Sequence, residues 1–93
     1  MARYKAKSRI QVFTTNTTVT DTDFADWQAI NTGTADVQVN KITLEPGQGL
    51  PFMKMQPDVL WDSPIQIVIL ADGGEVTLTQ IIYKEIKQIT KNK

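Results

Sequence analysis

Cysteine and histidine are both missing from this chain of 93 residues. Their absence excludes disulfides, thiolate zinc sites and imidazole metal sites. It also removes the thiol nucleophile and imidazole base of the common hydrolytic triads. Ser8 and Ser63 are the only serines, and neither lies in a G-x-S-x-G context. Long apolar runs are lacking too. The longest, Ile67 to Ala71, falls far short of the about 20 residues needed to cross a bilayer. The opening MARYKAKSR is basic like the start of a secretory signal, but no apolar stretch follows it. These absences lead to the expectation of a protein used without export, fitting a reducing compartment, with no cofactor, no membrane contact and no enzymatic activity.

What is present is a single short domain with an uneven charge distribution. A domain of this size buries only about 60 to 65% of the surface its unfolded chain exposes, so its core is thin. With no staple available, further burial has to come from association with copies of itself or with a partner. Net charge is zero, but residues 1–9 carry Arg3, Lys5, Lys7 and Arg9 with no acid. Residues 84–93 carry Lys84, Lys87, Lys91 and Lys93 against Glu85 alone. The intervening stretch, 10–83, holds nine acids against Lys41 and Lys54. Two readings of the basic ends stand side by side: arms that reach toward an anionic surface, or chain ends that simply tolerate charge.

The strongest local pattern is ADVQVNKITLE over 35–45. Val37 and Val39 alternate with polar residues, as do Ile42 and Leu44, and the apolar parity switches across Asn40-Lys41. A two-residue type I′ turn there pairs 37 with 44 and 39 with 42. All four apolar side chains then lie on one face, with Gln38 and Thr43 on the other. Glu45-Pro46-Gly47-Gln48 reads as a type II turn, with glycine at the position that needs positive φ. Asn31 to Thr34, Asp62 to Pro64 and Asp72 to Gly74 are further breaks. The run Ile65 to Ala71 fits a central strand covered on both faces, and Glu75 to Gln80 alternates with Val76 and Leu78 inward. These two segments are expected to form a second hairpin. Ser8 to Phe13 and Phe24 to Ile30 are further strand candidates, and 14–22 is a loop or irregular edge. From Ile81 onward the spacing fits either a continued strand or a short amphipathic helix. The fold class expected is all-β: one domain, 1–93, forming a small antiparallel sandwich or barrel of jelly-roll-like type. It has a basic arm at 1–9, a body at 10–83 and a basic tail at 84–93.

Few constellations suggest chemistry. Asp21, Asp23 and Asp26 form an acidic cluster to be weighed as a calcium site or a carboxylate pair. The stretch lacks the glycine and distal glutamate of an EF-hand loop, and such clusters are more often solvated turns. The glycines at 47, 49, 73 and 74 lack the lysine and helix start of a phosphate loop and read as turn residues. Among the aromatics, Trp27 is expected in the core and Trp61, between Pro57 and Pro64, at an interface. Gly49 to Met55 places Leu50, Phe52, Met53 and Met55 in a proline-broken loop, a candidate partner contact.

The stretch from Trp27 to Gly47, WQAINTGTADVQVNKITLEPG, resembles a pattern in small β-sandwich virion proteins of tailed bacteriophages, including crAss-like phages. In that pattern a strand ends in N-T-G, a V-x-V-N-G-I-x-L hairpin follows, and P-G closes the unit. Lys41 stands where the pattern has glycine. The resemblance implies a non-enzymatic component of the virion, assembled in the host cytoplasm. Its role would be a capsid auxiliary or decoration protein, with a head–tail or fibre-attachment protein as the alternative. The partners implied are the major capsid protein or other virion proteins, together with further copies of the chain. Docking would use Arg3, Tyr4, Lys5, Lys7 and Arg9, with Lys84 and Lys87 at the other end and Leu50, Phe52, Met53, Met55 and Trp61 as apolar contacts. Two other classes remain: a carbohydrate-binding module stacking Trp27 or Trp61 on a sugar, and a nucleic-acid-binding barrel clamped by the basic ends, the less expected of the two.

Overall fold

Local patterning determines most of the strands, beginning with the hairpin at 37–44. In a computed structural model, which describes residues 3–52 and 59–85, β4 (Val37–Val39) and β5 (Ile42–Leu44) pair in the anticipated register. Asn40 and Lys41 have φ of 49° and 70°, the left-handed values of a type I′ turn. On the outer face the Gln38 amide donates to Thr43 Oγ1 at 3.3 Å. Val37, Val39 and Leu44 are buried, while Ile42 remains 46% exposed because β5 is an edge strand. The turn also grips the neighbouring strand β6 (Ile65–Ile69). The Asn40 N–H donates to the Gln66 carbonyl, and the Gln66 N–H donates to Asn40 Oδ1.

The other strands are β1 (Tyr4–Phe13), β2 (Thr17–Val19), β3 (Asp26–Asn31) and β7 (Val76–Glu85). They assemble into two antiparallel sheets, one ordered β1-β7-β3 and the other β2-β6-β4-β5. No helix occurs among the described residues. The two sheets share one apolar core, in a sandwich-like arrangement. Trp27, Ala29, Val76 and Leu78 come from the first sheet, and Val37, Val39, Leu44, Ile65 and Ile67 from the second, with Phe24 and Leu50 from loops.

Two expectations about the Ile65–Gln80 region are corrected. β6 and β7 do not form a hairpin, because they belong to different sheets. Leu70 to Glu75 is too long for a tight turn and carries the chain across the core. The buried faces of the two strands, Ile65 and Ile67 on one and Val76 and Leu78 on the other, therefore meet across it. Nor is β6 covered on both faces: Ile65 and Ile67 are buried, but Gln66 between them is exposed. β6 is central within its sheet yet solvated on its outer side, as antiparallel sheets allow.

The N-T-G at 31–33 has a packing reason. Asn31 is fully buried, and its amide donates to the carbonyls of Ala35 at 2.8 Å and Leu44 at 2.9 Å. Its Oδ1 accepts the Gly33 N–H at 2.9 Å. A Cβ on Gly33 would lie 2.2 Å from the Gly73 carbonyl oxygen, so only glycine fits where the two loops cross. The type II turn forms as anticipated, with Gly47 at φ 86° and the Gln48 N–H bonded to the Glu45 carbonyl. The chain after it runs along the outer edge of β3. Gly47 N–H donates to Asn31 O, Asn31 N–H to Gln48 O, and Leu50 N–H to Ala29 O.

Candidate interaction surface

The basic segment at the start of the chain becomes the first half of β1, which pairs with β7 along its whole length, from Tyr4 opposite Glu85 to Phe13 opposite Val76. β3 pairs with β7 only from Val76 to Ile81. Residues 4–7 and 82–85 therefore continue as a two-stranded ribbon past the end of β3. The ribbon sets Lys5 directly opposite Lys84, and Lys7 opposite Ile82. Lys5, Lys7 and Lys84 are all exposed. The expected contact residues Met53, Met55 and Lys87 lie outside the described residues, as does the tail beyond Glu85.

Alternation along β1 divides its side chains between two environments. Arg9, Gln11 and Phe13 share the face of Gln80, Leu78 and Val76, toward the core. Lys5 and Lys7 share that face, Lys7 opposite Ile82 at the margin of the core. Tyr4, Ala6, Ser8, Ile10 and Val12 lie on the outer face, where Ile10 is 64% and Val12 56% exposed. These two apolar residues are the part of the surface that the sequence reading missed. The signal was present as I-x-V alternation within Ser8 to Phe13. It could not say which of the two faces the core would take.

Arg9, expected as a docking residue, is occupied within its own chain. Its guanidinium holds Asp23 through both terminal nitrogens, at 3.0 and 2.8 Å, and reaches Asp21 at 3.3 Å. Its Nε–H donates to Gln80 Oε1 at 3.0 Å, an oxygen that also accepts from the Gln11 amide at 2.7 Å. The hydrogen bond from Arg9, reinforced by its charge, holds the Asp23 carboxyl below its ordinary range, and the same contact raises the Arg9 pKa. Fully buried Gln80 is thus covered by a polar lid at one end of the core.

The three aspartates weighed as a cation site do not converge. Asp21 and Asp23 bind Arg9, whereas buried Asp26 accepts the Tyr83 hydroxyl at 2.6 Å. That hydrogen bond, with burial adding to it, raises the Tyr83 pKa. Among the described residues no cluster of three or more acids is placed to hold a metal ion.

The apolar candidates divide. Leu50 is buried in the core and offers no contact surface, a correction that follows from its backbone bond to β3. Phe52 is exposed. Trp61 is half-buried, packs against the core and meets Trp27 edge to face with ring centroids 5.4 Å apart. The backbone N–H of Trp61 donates to the Phe24 carbonyl, which ties the segment down. Trp27 is 1% exposed, as expected for a core residue. Arg3 is exposed and Tyr4 half-buried, next to each other at the tip of the ribbon.

At the opposite end of the molecule an open cleft of about 560 Å³ lies between Thr14, Gly33, Thr34 and the 69–75 crossing loop. Its acids are Asp72 and Glu75, the latter accepting the Thr32 hydroxyl. Comparison with known proteins finds no match, whether among family models, curated proteins or solved structures.

Proposed function

We propose that this chain is a non-enzymatic structural component of a phage virion, a capsid auxiliary protein that binds shell subunits through the basic β1–β7 ribbon. The observation that carries the binding part of this reading is the exposed lysine group of the β1–β7 ladder, with Lys5 facing Lys84 and Lys7 one pleat away. Charges of one sign directly opposite each other destabilise an antiparallel pair, so an acidic surface brought against them relieves a built-in repulsion. The virion context rests on the Trp27–Gly47 resemblance. Its N-T-G, hairpin and P-G elements together cover the β3 edge and clamp the hairpin to β6. A body with so thin a core gains stability from burial shared with neighbours, which suits a decoration role. A head–tail or fibre-attachment role uses the same surface.

The carbohydrate reading is less well supported, since Trp27 has no ring face to offer and Trp61 leans on it. The discriminating experiment is co-sedimentation of the purified chain with phage heads and empty shells. The proposal expects binding that weakens with salt and with Lys5→Glu/Lys7→Glu. A chain that ignores shells under all salt conditions overturns it.

A further inference from the structure

An antiparallel sheet edge exposes unpaired backbone N–H and C=O groups, and natural sheets shorten, cover or charge such edges. Among the described residues three of the four sheet edges are protected. β2 and β5 have only three residues each, and the outer edge of β3 is bonded to residues 47–50. The fourth is β1, ten residues long and free of proline, which among the described residues pairs only with β7. Beside that edge lie exposed Ile10 and Val12 on the outer face and Lys5 and Lys7 on the other.

We propose that the β1 edge accepts an extended segment of another protein as a fourth strand of this sheet. The segment is acidic at the positions meeting Lys5 and Lys7 and apolar at the alternate positions meeting Ile10 and Val12. The inference deepens the docking reading above and rests on it for the identity of the surface. Charge selects the occupant. A second β1 added about a two-fold axis keeps each residue opposite one of the same face. Registers centred on residues 6 and 7 oppose Lys5 to Lys7 or Lys7 to Lys7, each unfavourable, and no register brings a carboxylate to either lysine, because β1 holds no acid. Nor does any other described strand of a second copy supply the complement, because Asp26 in β3 and Glu85 in β7 are the only acids in any of them. An acidic strand from a different chain satisfies the backbone edge, the lysines and the apolar pair together, as in β-augmentation.

The probe is an acetylated peptide of strictly alternating glutamate and valine, set against a block isomer in which all the glutamates precede all the valines. Each is titrated into the full chain by fluorescence anisotropy, and amide hydrogen exchange is followed over residues 4–13. The alternating peptide is expected to bind and to slow exchange along β1, with the block isomer weaker. Lys5→Glu/Lys7→Glu should weaken binding about tenfold or more, since each attractive cross-strand pair becomes repulsive. That variant places a carboxylate opposite Lys84, so it folds at least as well. Ile10→Thr/Val12→Thr should also weaken binding while leaving the lysines in place. Equal binding of both isomers with unchanged β1 exchange overturns strand addition in favour of charge alone. Protection of β1 by a single-stranded oligonucleotide instead of the peptide, or by dimerisation without it, overturns the acidic-protein occupant. Shell binding that persists when the peptide fails overturns strand addition and leaves the virion role intact. Peptide binding without shell binding does the reverse.

Discussion

Asn31 is a polar residue with no exposed surface, and all three of its amide hydrogen bonds go to backbone groups. It fastens the end of β3 to the 33–35 loop and to β5. Asn31→Ala leaves two carbonyls and one N–H without their partners, at about 1–3 kcal/mol for each buried group. A loss of about 3 kcal/mol or more is expected in urea unfolding, as a lower midpoint with an unchanged slope. Arg9 and Asp23 provide a pH test at the same scale. The folded Asp23 pKa is depressed, so its contact with Arg9 stabilises the fold above the unfolded carboxylate value of about 4 and is lost as pH falls through the folded value. Asp23→Asn should flatten the acid limb of a stability–pH curve and leave the neutral region nearly unchanged in slope. A wild-type acid limb identical to the variant's would show that the pair contributes nothing.

At the scale of elements, the β4–β5 hairpin is the most legible part of the chain. Its parity switch, its turn type and its register all follow from the consecutive residues 37–44, because cross-strand pairing at this range involves no distant partner. Lys41 is the imperfect position, held at φ 70° where glycine bears no steric penalty. Lys41→Gly should stabilise the protein by about 0.5–1 kcal/mol, with a raised thermal midpoint. Asn40→Gly should not, because its side chain accepts the Gln66 N–H. β6 and β7 illustrate the opposite case. Each was recognisable as a strand, but alternation states only that one face is buried. Whether that face lies beside its sequence neighbour in one sheet or opposite it across a core depends on the path of the Leu70–Glu75 connection.

For the molecule as a whole, charge has the same split character. The basic ends are evident in the sequence; the meeting of Lys5 and Lys84 depends on β1 and β7 pairing across nearly the full length of the chain. Beyond the β3 ladder the two-stranded ribbon is held by the Tyr83–Asp26 hydrogen bond and by Ile82 against the core, and Lys5 opposite Lys84 weakens it. Amides of residues 4–7 and 82–85 should exchange much faster than those of 26–31 and 76–81. Added salt should slow the ribbon's exchange by screening the lysines, whose effect reaches about 10 Å at 0.1 M salt. Ribbon amides as protected as the core ones, or insensitive to salt, would mean that the ladder is stable without a partner.

By itself the sequence determined the all-β class, the 37–44 hairpin, the turn glycines 47 and 73 and the core placement of Trp27, Val76 and Leu78, since short-range periodicity and turn chemistry encode them; Gly49, read as a turn residue, instead bridges Ile30 at the β3 edge. It also determined that basic charge gathers at both ends. Only the tertiary structure decided that Lys5 faces Lys84 in one ladder, that Arg9 is bound to Asp21 and Asp23, that Leu50 is core and that Ile10 and Val12 are outside. Each of these depends on residues far apart in the chain, and a strand's alternation fixes its two faces without choosing between them.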